Sequence, residues 1–267
     1  MPELLFEIIS EEIPAKLQEN AAKSLASHVV DGLANIGINQ NFSYESFSTP
    51  RRLCILFKDL PAHADGILSV RKGPRVNASV TAIEGFLRSI SRISIKDRDI
   101  HIIPSKKGDF YEFRRQEEAI PLESELPSIL GEAMSQLSWP KSMRWNTYNC
   151  RWVRPIQNIL AIFNGTIVGF GFQLGQREKN TGNTGLQFIK WANNKTEGHR
   201  MLAPGMITVT GIDDYKSKLK KFKVVLDPNE RKKYILKQAN KLANSVKLNL
   251  RADPKLLDEV VGLIEWP

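Results

Sequence analysis

The chain has 267 residues, 42% hydrophobic and 25% charged, a globular composition sufficient for one large domain or two ordinary ones. Its two cysteines belong to no CxxC pair or His/Cys cluster, so the sequence indicates neither a disulfide framework nor a structural zinc site. A formal charge of +9 favours an acidic partner, and nucleic acid more than a membrane, because no basic helix carries bulky apolar residues on its other face. A basic surface that only promotes solubility is the alternative.

The chain carries no sign of export or membrane insertion. The longest nearly apolar runs, such as Ile159–Phe163, are too short to span a bilayer. The opening MPELLFEIISEE has acids where a signal peptide has basic residues. We therefore expect a cytoplasmic protein.

The first sixty residues predict a β-α-β-β unit. LLFEII at Leu4–Ile9 is typical of a buried strand, and Pro14 stands at the first position of a helix whose apolar residues recur every three or four positions until Gly37 ends it. FSYESF alternates in polarity, and RRLCILF follows the turn-like STP as a second strand.

The next sixty residues predict a loop, a short helix, a hairpin and a second helix. Gly66 and Gly73-Pro74 favour a loop over Pro61–Thr81, followed by a helix at Ala82–Ile90. HIIP and DFYEFRR flank SKKG as a hairpin, and Ser124 is expected to cap the second helix.

WPKSMRWNTYNCRWVRPIQ, at Trp139–Gln157, concentrates three of the five tryptophans among basic residues. One interpretation is a structural corner, in which Trp145 and Trp152 pack and Arg154 pairs internally. The other is an RNA surface, because guanidinium groups fit phosphates and aromatic rings stack on bases. We expect the tryptophans to pack and the arginines to divide between the two roles.

The remaining chain predicts a second hairpin and then helices. NILAIF and IVGFGFQL flank an NGT turn, and Gly175–Lys195 is polar and glycine-rich, typical of a mobile loop. Asp227-Pro228 and Asp253-Pro254 each open a helix. The whole pattern predicts an α+β fold with mixed or antiparallel sheets and packed helices, divided into a sub-region at 1–140, a β-rich sub-region at 141–225 and a helical segment at 226–267.

Sequence motifs for catalysis are absent. No GxxxxGK[ST], GxSxG, HExxH or GxGxxG pattern occurs, and the four histidines are scattered. We assign no catalytic residue, metal ligand or cofactor to this chain. The functional candidates are instead basic residues beside turns and tryptophans, each with an internal ion pair as its alternative. They are Arg51, Arg52, Lys72, Arg75, Lys141, Arg144, Arg151 and Arg200.

Eight segments occur in an order that resembles the β subunit of the bacterial two-subunit glycyl-tRNA synthetase. They are LLFEIISEEIP, STPRRLCILF, KGP, EGFLRS, KSMRW, WVRPIQNILAIF, EGHRM and LLDEVVGLIEWP. The resemblance covers nearly the whole chain. It departs from the family in a short loop after KGP and a long segment before EGHRM.

The resemblance implies a non-catalytic chain of an aminoacyl-tRNA synthetase. In this family two α and two β chains form a heterotetramer, α binds ATP, Mg and glycine, and β contributes to tRNA(Gly) binding and is needed for activity. Family β chains also continue into further domains, so this chain resembles an N-terminal portion that we expect to be inactive alone. A scaffold without RNA contact and a tRNA-editing module are the alternatives.

Overall fold

The computed structural model describes residues 2–39, 41–64, 68–105, 108–116, 119–144, 151–175 and 188–267. Within these ranges the helices are α1 Ala15–Asn35, α2 Val80–Ser89, α3 Leu122–Gln136, α4 Ile212–Lys221, α5 Pro228–Ser245 and α6 Pro254–Val261. The strands are β1 Leu4–Ser10, β2 Ser43–Thr49, β3 Arg52–Lys58, β4 His63–Ala64, β5 Leu68–Arg75, β6 Ile100–Ile103, β7 Phe110–Gln116, β8 Ile120–Pro121, β9 Met143–Arg144, β10 Arg151–Trp152, β11 Ile156–Phe163, β12 Thr166–Ile167, β13 Gly171–Gly175, β14 Phe188–Asn193, β15 Lys195–Glu197 and β16 Met206–Thr208. The predicted α+β class is confirmed.

The chain divides into two compact units, one of residues 1–35, 39–62 and 122–267 and the other of residues 36–38 and 63–121. This division differs from the predicted sub-regions 1–140, 141–225 and 226–267. The reason is that β1 pairs with β3 on one side and with β11 on the other, so residues on both sides of the second unit build one sheet.

The first unit is built on a mixed sheet with the strand order β13-β14-β11-β1-β3-β2, in which β12 also pairs with β11. The pair β11 and β14 is parallel, and the other pairs are antiparallel. All seven residues of β1 are buried, as its nearly continuous apolar sequence predicts for a central strand.

Helices cover this sheet. The helix α4 packs Tyr215 and Leu219 into a cluster with Leu5 and Leu160 of the sheet. The helix α1 contacts β2, β3 and α3. Its end agrees with the sequence, because Gly37 adopts φ +92°, the left-handed conformation expected after a helix.

The second unit contains a three-stranded antiparallel sheet, ordered β5-β7-β6, with α2 packed against it. The hairpin β6-β7 and the helix α2 were predicted, but the loop over Pro61–Thr81 was wrong, because β4 and β5 lie within it. A shift of register between Lys72 and Arg75 accommodates Gly73-Pro74 inside the strand. The Phe86 ring also lies 2.8 Å from the position of a Cβ built on Gly73, so glycine permits α2 to approach β5.

Three other local predictions have mixed outcomes. Ser124 lies inside α3, which begins at Leu122, so the expected cap there was wrong. The second hairpin forms between β11 and β12. The second half of the predicted partner strand IVGFGFQL lies in β13, which pairs with β14 and not with β11. Asp227 and Asp253 accept backbone hydrogen bonds as caps of α5 and α6, as predicted.

Candidate nucleic-acid interface

The two adjacent candidates Arg51 and Arg52 lie where β3 begins, and both are buried. The Arg52 guanidinium is fully buried and pairs with Glu7 of β1 at 3.0 Å and with Glu265 after α6 at 2.9 Å. It also donates to Thr196 Oγ1 at 3.3 Å. Because its donors are taken up inside the protein, Arg52 cannot contact a phosphate, and the internal ion pair replaces the expected RNA contact.

Ion pairs and hydrogen bonds stabilise this buried cluster, which we call the Arg52 network (Glu7, Arg52, Thr196, Tyr215 and Glu265). The hydroxyl groups of Tyr215 and Thr196 each donate a hydrogen bond to the Glu7 carboxylate. Burial lowers the pKa of Arg52, but the carboxylates of Glu265 and Glu7 outweigh burial and raise that pKa above its usual range. For Glu265 burial acts in the opposite direction and raises the pKa. The charge of Arg52 and hydrogen bonds, including one from Thr49, outweigh burial and bring the pKa of Glu265 below its usual range. Both partners therefore stay charged near neutral pH.

Arg51 is held less completely than its neighbour. Its Nη2 lies 3.1 Å from Glu197 Oε2, and the Glu197 side chain remains 28% exposed. Its Nε and Nη1 are buried and have no hydrogen-bond partner among the described residues. With only 9% of its side chain exposed, Arg51 also has little surface to offer a phosphate.

Arg231 is a buried cation that the sequence interpretation missed. Its guanidinium donates to the backbone carbonyls of Ser48, Val225, Leu226 and Val261 at 2.8–3.2 Å, which ties α5 to β2 and to the end of α6. Burial lowers its pKa to about 10. All four partners are backbone carbonyls, and those of Ser48 and Val261 lie 183 and 30 positions away, so no local pattern indicates this role.

The segments that carry the family resemblance thus meet in the interior of the protein. Glu7, Arg52 and Glu265 come from LLFEIISEEIP, STPRRLCILF and LLDEVVGLIEWP, and they form one ion-pair cluster. In the second unit, Gly73 of KGP lies against Phe86 of EGFLRS. In these contacts the five segments contribute to the packing of each unit.

The tryptophan-rich stretch combines a packed indole with exposed cations. Trp152 is 1% exposed, and its ring lies 5.3 Å from that of Trp139 and 6.2 Å from that of Phe172 between centroids. Trp145 lies outside the described residues. Arg154 is exposed, and its Nε donates to the Glu12 backbone carbonyl at 3.1 Å, whereas the expected internal contact was an ion pair.

Three candidates remain accessible near this corner. Lys141 and Arg151 are exposed, and the backbone of Arg151 pairs with that of Arg144 across β9 and β10. Arg200 keeps 53% of its side chain exposed while contacting Glu11 at 3.1 Å. Since Glu11 adjoins Glu12, the partner of Arg154, these contacts bring Arg154 and Arg200 to the same edge of the first unit.

The candidates Lys72 and Arg75 lie on β5 of the second unit, and both are exposed. The Lys72 ammonium stands 4.2 Å from the centroid of the Phe110 ring, a cation–π contact that leaves the charge near solvent. These two residues remain accessible to an anion.

Most of the excess positive charge lies in a part of the chain that contains none of the candidate residues. Residues 212–255, which include α4 and α5, contain 13 Lys and Arg against 5 Asp and Glu, compared with 38 against 29 in the whole chain. The acids precede the lysines in α4, as expected for a helix N-terminus followed by a solvated face. The lysine repeat in α5 was the signal that could have identified this surface.

The described part of the chain contains neither a cluster of metal ligands nor a reactive cysteine. Among those residues, no group of three His, Cys, Asp or Glu side chains is placed to hold a metal ion. Cys54 is buried, and burial together with the Glu7 carboxylate raises the pKa of its thiol, so it is not a thiolate nucleophile. None of the helices in the described ranges is long and apolar enough to cross a membrane.

Comparison with known proteins identifies relatives along the whole chain. A family model described as glycyl-tRNA synthetase beta subunit matches residues 4–267. This chain is 40%, 38% and 37% identical to the proteins named glycine–tRNA ligase beta subunit from Rhodospirillum centenum, Cereibacter sphaeroides and Paracoccus denitrificans, respectively. Each match includes 100% of this chain but only 38%, 36% and 37% of the respective relative. The chain therefore spans little more than a third of the length of these relatives.

Proposed function

The chain belongs to the glycyl-tRNA synthetase beta subunit family, and from that premise we propose that it binds tRNA(Gly) and assembles with a catalytic α chain. The reaction served is the ATP-dependent attachment of glycine to tRNA in the cytoplasm. In this proposal two α and two β chains form the enzyme, and ATP and Mg bind to α. This chain alone attaches no glycine.

The observation that supports RNA binding is the positive charge of exposed side chains on both units. Lys141, Arg151 and Arg200 are exposed on the first unit, and Lys72 and Arg75 are exposed on the second. Phosphate contacts need only exposed cations and counterion release, so these residues suit backbone binding more than base recognition.

Assembly has support from exposed apolar side chains near α5 and α6. Leu242, Val246, Leu248 and Leu256 are 58–67% exposed, and such a group on a folded chain is typical of a surface that contacts protein. A scaffold role alone is the second candidate function, and it would need these residues but not the exposed cations.

Two assays test this proposal. The chain should shift labelled tRNA in a gel at low ionic strength, and exchanging Lys141, Arg151 and Arg200 together for Gln should weaken that shift. Glycine-dependent pyrophosphate exchange should be absent with the chain alone. Absence of any tRNA shift by the unmodified chain would leave the scaffold role, and exchange activity without an α chain would contradict the division of labour.

A further inference from the structure

Contacts of the first turns of α5 determine which face of the helix packs against the protein. Asp227 caps it by accepting the Asn229 N–H at 2.8 Å, and the buried Arg231 side chain reaches four backbone carbonyls below the helix. These contacts establish which face of α5 packs on the protein and which face is in solvent.

Three lysines form a line on the solvent face. Lys233, Lys237 and Lys241 follow one another at four-residue intervals, and all three are exposed. At about 100° per residue they lie roughly 200–280° around the helix from Arg231, and at 1.5 Å per residue the line is about 12 Å long. We call these three residues the α5 lysine line.

The α5 lysine line has no internal counter-charge in the described part of the chain. Its helix contains one acid, Glu230, which lies in the first turn and is 3.6 Å from Lys220. Other helices show the opposite arrangement, because Glu19 and Asp214 each precede a lysine by four residues and pair with it. Like charges at this spacing repel, so the line destabilises α5 unless an external anion neutralises it.

A polyanion fits this line better than a small anion or a membrane. Three charges spread over about 12 Å match a backbone with regularly repeated phosphates, whereas one phosphate would contact one lysine. The opposite face of the helix cannot enter a bilayer along its first turns, because Arg231 is buried there against the protein. Tyr234, 40% exposed beside Lys233, adds a ring on which a base can stack.

We propose that the α5 lysine line is a contact site for the phosphate backbone of tRNA, distinct from the surface around Lys141, Arg151 and Arg200. The inference rests on the proposed function and adds a second surface to it. Among the described residues of α4–α6 it is the longest row of lysines without an ion pair, and in this proposal it contributes the larger part of the salt-dependent affinity.

The test compares two triple variants with the same net charge. K233Q/K237Q/K241Q removes the line, and K16Q/K58Q/K96Q removes three exposed lysines from other parts of the chain. Fluorescence anisotropy with labelled tRNA from 50 to 200 mM salt should show at least about a tenfold loss of affinity for the first variant. The slope of log K against log salt should also become shallower by about 2–3, since each lost phosphate contact removes roughly one. The control should change by less than one in slope.

Circular dichroism and thermal melting establish that both variants are folded, since all six positions are exposed. Binding by the unmodified chain that is equally weakened in both variants would overturn the inference while leaving the proposed function intact. No binding by the unmodified chain would overturn both. Loss of binding to phosphatidylserine vesicles in K233Q/K237Q/K241Q, with tRNA binding unchanged, would assign the line to a membrane and also overturn the inference.

Discussion

Exchanging Arg52 for Met should destabilise the protein far more than the same exchange at Arg51. Arg52→Met removes the cation between Glu7 and Glu265, whose side chains are 0% and 5% exposed, and leaves both carboxylates buried without their ion-pair partner. Breaking a buried ion pair on one side costs about 3–5 kcal/mol. That loss is a large part of a typical free energy of unfolding of about 5–15 kcal/mol.

Arg51→Met is the matched control, one residue away. Its partner Glu197 is 28% exposed and can be hydrated, and two of the Arg51 donors are buried without partners. Loss of the ion pair is therefore offset by removal of unsatisfied polar groups, and we expect a change of about 1 kcal/mol or less.

Urea unfolding followed by circular dichroism at pH 7 and pH 5 measures both variants. In the unmodified protein Glu265 has a lowered pKa, so its contribution to stability is present above the unfolded pKa of about 4.3 and disappears as the pH falls through the folded value. In Arg52→Met burial raises that pKa instead, so the variant's deficit should shrink between pH 7 and pH 5. Equal losses for both variants, or a loss below about 1 kcal/mol for Arg52→Met, would refute this account of the Arg52 network.

Three further outcomes follow from the packing and the charges. Trp152→Ala should lower the free energy of unfolding by about 3–5 kcal/mol, and an unchanged melting temperature would show that the indole does not pack the corner. Gly73→Ala should cost about 1–3 kcal/mol, because its Cβ would stand 2.8 Å from the Phe86 ring, and urea unfolding should detect the loss. Glu265→Gln should flatten the decline of stability between pH 5 and pH 3, and an acid melting profile identical to that of the unmodified protein would contradict the assignment.

Local sequence was sufficient for most of the elements. Continuous apolar runs indicated β1, β3 and β11, and aspartate-proline pairs located the starts of α5 and α6. These features depend on neighbouring residues alone, so periodicity and capping chemistry identify them.

Contacts between residues far apart in the sequence could not be predicted in the same way. Arg51 and Arg52 follow a turn, which favoured an exposed position, but the Arg52 partner Glu265 lies 213 positions later. The predicted sub-regions 1–140 and 141–225 likewise place two paired strands apart, because one sheet neighbour of β1 is β11. Tertiary pairing determines these features, and no local pattern records it.

The sequence predicted the candidate site only in part. Basic residues near turns were a sound criterion for exposure at Lys72, Arg75 and Lys141, but not at Arg52. The α5 lysine line went unrecognised because its significance depends on which helix face Arg231 buries. The side chain of Arg144 and the whole of Trp145 lie outside what the structure describes.

The salt dependence of tRNA binding by the unmodified chain tests the central claim most directly. If about four phosphates are neutralised, log K should fall with log salt at a slope of roughly −3 to −4, with little discrimination among tRNAs. Fluorescence anisotropy between 50 and 200 mM salt provides the measurement. Absence of binding at 50 mM salt, or binding that does not weaken as salt increases, would contradict an RNA-binding role for this chain.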